Sequence, residues 1–460
     1  MKRIYTVIVF SFLNLASFGQ KEFDNWYFGM NAGISFVSGA PVSLSGGALN
    51  TNEGCTAIST AAGSLLFYTD GRYVYNMNHS QMPNGSGLNG GYSSSQSAII
   101  IPDPADPDVY YIFTTAEMAG ASGLCYSKVD MTLMGGLGNV TVKNVQLITP
   151  VDEKVAAVRN SSGNGYWIIV HELSSLSNSY YAYPVTASGV GNPVISSVGT
   201  LNTANNAWLG CMKVSPDGTK IANPRCYAHE TEIADFNAAT GAVTNPFLFD
   251  LGANNFTYAA EFSETGNVLY IVSWTNPPAK LYQLNMAAGS PAAILASATI
   301  IFSTTDQMGT LQLASDHKIY LAHHGSYDIG VINNPDSLGT SCNYVNHGFL
   351  SPNMVLYGLQ NSISGSILLT NAENIPGGKP GLNIFPNPFS IQSMIAFNNP
   401  HHYKFSFSLF DITGQIVEAA NTSSAKIILE KGNKKPGVYL FNLTNENTGE
   451  RMNGKIVISD

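Results

Sequence analysis

A repeat of about fifty residues, a composition poor in charge but rich in glycine and aromatics, and a break in both near residue 371 predict an all-β fold. The expected architecture is a seven-bladed β-propeller followed by a small Ig-like β-sandwich. Only 11% of the 460 residues are Asp, Glu, Lys or Arg, against roughly 25% in an ordinary soluble domain. The 44 Gly, 23 Tyr and 22 Phe suit short strands joined by tight turns and fit long amphipathic helices poorly. A net charge of −9 without a basic patch excludes nucleic acid and anionic lipid as expected partners.

The chain opens with a basic pair, Lys2 and Arg3, then the apolar run Ile4 to Phe12, then small residues at Ala16, Ser17 and Gly19. This order predicts a cleaved secretory signal peptide over residues 1–20. The apolar run is too short to span a bilayer comfortably, and no later segment reaches the necessary length. No membrane span is therefore expected in the mature chain. Five cysteines are an odd number, and their spacings match no metal motif. Cys211 and Cys226 fall on neighbouring predicted strands where a bridge would fit, but buried free thiols are the simpler expectation.

The propeller is assigned to residues 24–370. Each repeat opens with a short strand of small residues, then a polar turn, an aromatic-rich strand and a further strand. The clearest copy is Leu209 to Ile221, LGCMKVSPDGTKI, and the next two start near residues 258 and 309. Earlier copies start near 55, 96 and 155. The opening strand crowds a central channel, so it takes residues such as Ala57, Ala156, Gly210 and Ala259. The second strand packs between blades on both faces, so it reads as a continuous apolar run, as in Tyr166 to Val170. Ser215-Pro216-Asp217-Gly218 supplies the fixed φ and the positive φ that the intervening turn needs. A seventh opening strand, Gly358 to Ile363, lacks a partner after it, whereas Trp26 to Phe28 and Gly33 to Phe36 resemble second and third strands that lack an opening one. One blade shared by both termini is expected, with Trp26 to Phe28 pairing with Gly358 to Ile363. That arrangement would protect the sheet edges.

Residues 371–381, NAENIPGGKPG, carry linker signals. Over residues 382–460 the repeat stops, Lys becomes frequent and alternating strands return. Here four motifs occur in order: Ile384 to Phe389, IFPNPF; Leu409 to Gln415, LFDITGQ; Pro436 to Leu440, PGVYL; and Gly454 to Val457, GKIV. Together they resemble the type A sorting domain of type IX secretion, with Pro386, Asn387, Pro388, Asp411, Gly414, Gly437, Tyr439 and Lys455 carrying the likeness. The resemblance implies a Bacteroidetes-type host, passage through the periplasm and outer membrane by the type IX machinery, and release or attachment at the surface. The propeller region, through Asn25 to Gly29, Leu49 to Cys55, Leu66 to Gly71 and Gln96 to Ile100, is similar to uncharacterised surface propellers of the same bacteria. That likeness implies no activity.

No nucleophile elbow, zinc-protease helix, phosphate loop or dinucleotide fingerprint is present. One positional signal remains, because residues following each second strand must share one face of the ring. They are Asp70, Glu117, His171 with Glu172, His229 with Glu230, Trp274, and His323 with His324. Three copies place His there, out of nine in the whole chain. Loops from several units converge at such a mouth, where ligand sites commonly lie. Solvated polar loop starts on a charge-poor surface would give the same pattern. His171, His229 and His324 sit on separate blades, so a dispersed polar rim with no bound metal and no cofactor is expected.

These readings point to a non-catalytic binding or adhesion module for an extracellular glycan, peptide or protein, displayed at the surface or released. The alternatives are a secreted hydrolase, lactonase or lyase working at the mouth, and a scaffold subunit of a surface assembly; the fold does not choose among them.

Overall fold

A computed structural model describes residues 21–201, 208–252, 255–274, 278–365 and, apart from 386–388, 390–391, 398, 400–402, 412, 425 and 449–450, residues 382–458. The expected signal peptide, the linker and the Pro386-Asn387-Pro388 motif lie outside the described residues. The chain divides into two compact units, 1–369 and 370–460.

Among its described residues the first unit contains seven antiparallel sheets. Blade 1 runs Thr56–Ser59, Leu65–Thr69, Tyr73–Asn76 and Gln81–Ser86, from the inside outward. Blades 2 to 6 repeat the order from inner strands Ala98–Asp103, Ala156–Arg159, Lys213–Val214, Thr257–Phe262 and Met308–Leu313. Blade 7 comprises Asn25–Phe28, Ala32–Ser35 and Val42–Leu44. The second strands Tyr166–His171, Val268–Ser273 and Ile319–His323 are buried along their whole length. Both faces of such a strand meet a neighbouring sheet, which is why they read as unbroken apolar runs.

Apolar clusters tie each blade to the next. Ile58 and Phe67 of blade 1 pack with Ile100 and Ile112 of blade 2, and Ile99 and Phe113 with Ile168 and Val170 of blade 3. Trp167 and Ile169 meet Val214 and Ile221, Ile233 meets Ala260 and Leu269, and Tyr270 meets Leu321. The ring closes where Tyr320 and Ala322 of blade 6, Trp26 and Phe36 of blade 7, and Ala57 and Tyr68 of blade 1 share one cluster. The blade 4 turn takes the form its residues dictate. Gly218 has φ 70° and its N–H donates to Ser215 O at 2.8 Å. The Ser215 hydroxyl meets Asp217 Oδ1 at 2.6 Å.

The expected pairing of Trp26–Phe28 with Gly358 to Ile363 does not form; among the described residues Asn25–Phe28 pairs with Ala32–Ser35 alone. Residues 357–364 instead thread the centre of the ring. Tyr357 N donates to Asn52 O at 2.9 Å, Asn361 N to Cys55 O at 2.7 Å and Ser364 N to Ala157 O at 2.8 Å. The inner strands of blades 1 and 3 thus take up donors that a seventh inner strand would have spent on its own sheet. Polar side chains complete the filling. Asn361 Nδ2 donates to Ala98 O and Val155 O at 3.3 and 3.1 Å, and Gln312 Nε2 to Ser362 Oγ at 3.0 Å.

The second unit is a two-sheet sandwich. Leu382–Phe385, Gln392–Phe397 and Lys426–Glu430 form one sheet; Ile416–Thr422, Phe405–Phe410, Gly437–Asn445 and Arg451–Ile458 form the other. Alternating residues, among them Phe405, Phe407, Leu409, Phe441 and Leu443, fill the space between. Asp411 Oδ1 accepts from Thr413 N and Gln415 N at 2.9 and 3.1 Å, closing a turn in which Gly414 has φ 86°. Tyr439 is buried and donates to Lys435 O at 2.8 Å. Gly437 and Lys455 lie on adjoining strands. Among the described residues no helix is long and apolar enough to cross a membrane.

Candidate functional site

Strand register decides which loops share the mouth. Thr56 lies opposite Thr69, Ala98 opposite Thr114, Ala156 opposite Ile169, Thr257 opposite Ser273 and Met308 opposite His323. The chain entering each inner strand therefore meets the turn leaving the second strand at one end of the ring.

Several of the sequence-derived candidates are occupied in holding that end together. Asp70 is buried, ion-paired with Arg72 at 2.6 Å, and accepts from Arg72 N and Tyr73 N. Glu117 is half-buried and accepts from Ser93 N at 3.2 Å. His171 is buried edge-on against Tyr180, and its Nδ1 donates to Glu172 O at 2.7 Å. Burial pushes this imidazole down to about 3, so it stays neutral. The Glu172 carboxylate accepts from Tyr181 Oη at 3.4 Å. Glu230 is ion-paired with Arg225, and His229 packs against Phe256 with ring centres 4.7 Å apart. His171, His229 and His324 each face a different aromatic partner.

Two linked aromatic groups remain. Trp274 stacks on Tyr258 at 5.4 Å and meets Tyr357 edge-on at 5.4 Å, while His324 lies flat on Tyr357 at 3.9 Å. Trp208, Tyr227 and Phe256 form a second chain, with ring centres 6.1 and 5.6 Å apart. Tyr227 is 38% exposed, and Trp208, Phe256, Trp274 and His324 are half-buried.

Between these groups lie two carboxyl groups that the sequence reading passed over. Glu153 Oε2 accepts from Ser95 N and Ser95 Oγ at 3.0 and 2.9 Å, Oε1 accepts from Met118 N, and its own N–H donates to Trp208 O at 3.1 Å. Burial outweighs those donors and raises its carboxyl group to about 7. Glu53 is 3% exposed, and its Oε2 has no hydrogen-bond partner among the described residues. Burial first, and then the charge of Glu153, push it well above the usual carboxylate range. The signal was positional. Asn52-Glu53-Gly54-Cys55 and Asp152-Glu153-Lys154 both put an acid just ahead of a small-residue inner strand, where the ring is narrowest.

His323 and His324 both line a cavity of about 420 Å³ that lies between Thr304 to Gln307 and the strands of blade 6. Its Nδ1 lies 2.7 Å from Asp328 Oδ1, and the same oxygen is 2.9 Å from His347 Nδ1. Asp328 and His347 were not among the expected residues. Asp328 faces His323 across the hairpin into the third strand, and His347 comes from the fourth strand, too far along the chain for spacing to link it to the other two.

Residues 383–459 match the family model described as a secretion system C-terminal sorting domain. No curated protein matches the chain in sequence. Among solved structures, the chain is similar to a functionally unknown protein of Desulfotomaculum acetoxidans (13% identity, 79% of this chain and 94% of that one, TM-score 0.38). It is also similar to PorZ, a surface component of the type IX secretion system of Porphyromonas gingivalis (12%, 96% and 60%, TM-score 0.34). A third is the periplasmic gluconolactonase of Pseudomonas aeruginosa (11%, 78% and 94%, TM-score 0.36). The C-terminal match makes the chain a cargo of type IX secretion, exported to the cell surface or the extracellular space.

Proposed function

We propose that the propeller works outside the cell as a glycan-binding module, with the mouth as its recognition surface. The observation that carries this is the pair of aromatic groups, Trp274 with Tyr357 and His324, and Trp208 with Tyr227 and Phe256, around one rim. Sugar rings present apolar C–H faces that pack on aromatic planes, and Trp and Tyr supply that area at low entropic cost. Residues 357–364 run through the centre of the ring, which suits a surface ligand better than a threaded one. A glycan array with the mature chain should identify ligands, and Trp274→Ala and Tyr227→Ala should each weaken them at least tenfold by calorimetry, with unfolding temperature unchanged within a few degrees. Capture of a peptide ligand with an empty array would overturn the glycan reading.

A secreted hydrolase is the second reading, favoured by Glu153 titrating near neutrality beside Glu53, as a general acid requires. The burial of both side chains weighs against it, because a reacting bond would have to reach them. Release of sugar from a bound glycan, lost in Glu153→Gln with binding retained, would establish it.

A further inference from the structure

We propose that His323, Asp328 and His347 form a binding site for one zinc-class divalent ion, opening onto the cavity beside blade 6. The donor set is two imidazoles and a carboxylate whose ligand atoms lie within 4.8 Å of one another. Three such protein ligands with a free position toward solvent are the composition of an open zinc site. Ligand atoms about 2.0–2.1 Å from zinc stand roughly 3.3 Å apart in a tetrahedron. The observed 2.7 and 2.9 Å separations need only a small opening around Asp328 Oδ1. His347, with its side chain 62% exposed, is free to make that movement.

The surroundings fit an ion as well. The cavity is lined by Asp306 in addition to Asp328, and no Lys or Arg lines it among the described residues. His323 Nε2 lies 3.3 Å from Tyr344 Oη, which in turn donates to Asn346 Oδ1 at 3.0 Å. To coordinate through Nδ1, His323 must carry its proton on Nε2, and the Tyr344 oxygen is placed to accept it. Such an outer partner fixes ring orientation and tautomer in metal-ligating histidines.

Backbone geometry supplies a third observation. Ile329 pairs with Phe349 but Val331 pairs with Val345, so the outer strand carries extra residues opposite Gly330. His347 lies in that irregular stretch. Bulges of this kind give up ladder hydrogen bonds and re-aim a side chain, and they gather next to functional sites.

The test is titration of the chelator-treated mature chain with zinc chloride by calorimetry, together with visible spectra after cobalt(II) addition. One equivalent should bind at micromolar affinity or tighter, with the intense bands of four-coordinate cobalt. His347→Ala and Asp328→Asn should each lower zinc affinity at least fiftyfold, and His347→Ala, at an exposed position, should leave the melting temperature unchanged. Absence of stoichiometric zinc binding, or equal binding by His347→Ala, would overturn the proposal.

Discussion

A carboxyl group whose burial outweighs its hydroxyl and amide donors holds its proton to higher pH than a solvated one, and Glu153 is in that position. In the unfolded chain it ionises near 4.5 and in the folded ring near 7. The folded state therefore binds more protons between these values, and stability falls as pH rises through that window. The loss is on the order of 3 kcal/mol for this residue. Melting temperature measured from pH 4.5 to 7.5 should fall, and Glu153→Gln, which cannot ionise, should flatten the curve. An unchanged curve in the variant would show that Glu153 is charged in the folded ring. His171 contributes in the opposite sense: its folded value near 3 lies below the ordinary imidazole range, so its contribution is complete above about pH 6.5 and is lost as pH falls toward 3.

The segment 357–364 is the element on which the ring turns. In place of a seventh inner strand, it spends its hydrogen bonds on several blades at once. Asn361 alone reaches Cys55 O, Ala98 O and Val155 O, and accepts from Gln96 Nε2 at 3.3 Å. Removing its side chain takes a donor away from buried carbonyls on blades 2 and 3, while Gln96 keeps its bond to Met212 O; a buried polar group left unpaired costs about 1–3 kcal/mol. Asn361→Leu should therefore destabilise the propeller by roughly 2–4 kcal/mol. The urea midpoint of the purified chain would report it, and a change below about 0.5 kcal/mol would show that the central segment does not hold the blades together.

At the scale of the molecule, the propeller and the sandwich have separate apolar cores, with no residue in common between the C-terminal cluster and those of the ring. Deleting Leu382 to Asp460 should thus leave the propeller folded by circular dichroism but held within the cell envelope on fractionation, because the address leaves with the sandwich. Normal extracellular yield of the truncated chain would contradict the sorting role, and loss of ring signal would contradict independence of the cores. Much of this organisation was legible in the residues themselves. Small inner strands, unbroken apolar second strands such as Val268–Ser273, and turns such as Ser215 to Gly218 are local patterns that periodicity and turn chemistry reveal. The C-terminal motifs were equally local. Tertiary structure alone decided where residues 357–364 go, since their choice between one sheet and several blades depends on donors and acceptors supplied from across the ring. It also decided which polar residues meet. Glu53 and Glu153 become neighbours by ring closure, and His347 reaches Asp328 through a strand irregularity, so no spacing along one chain could have paired them.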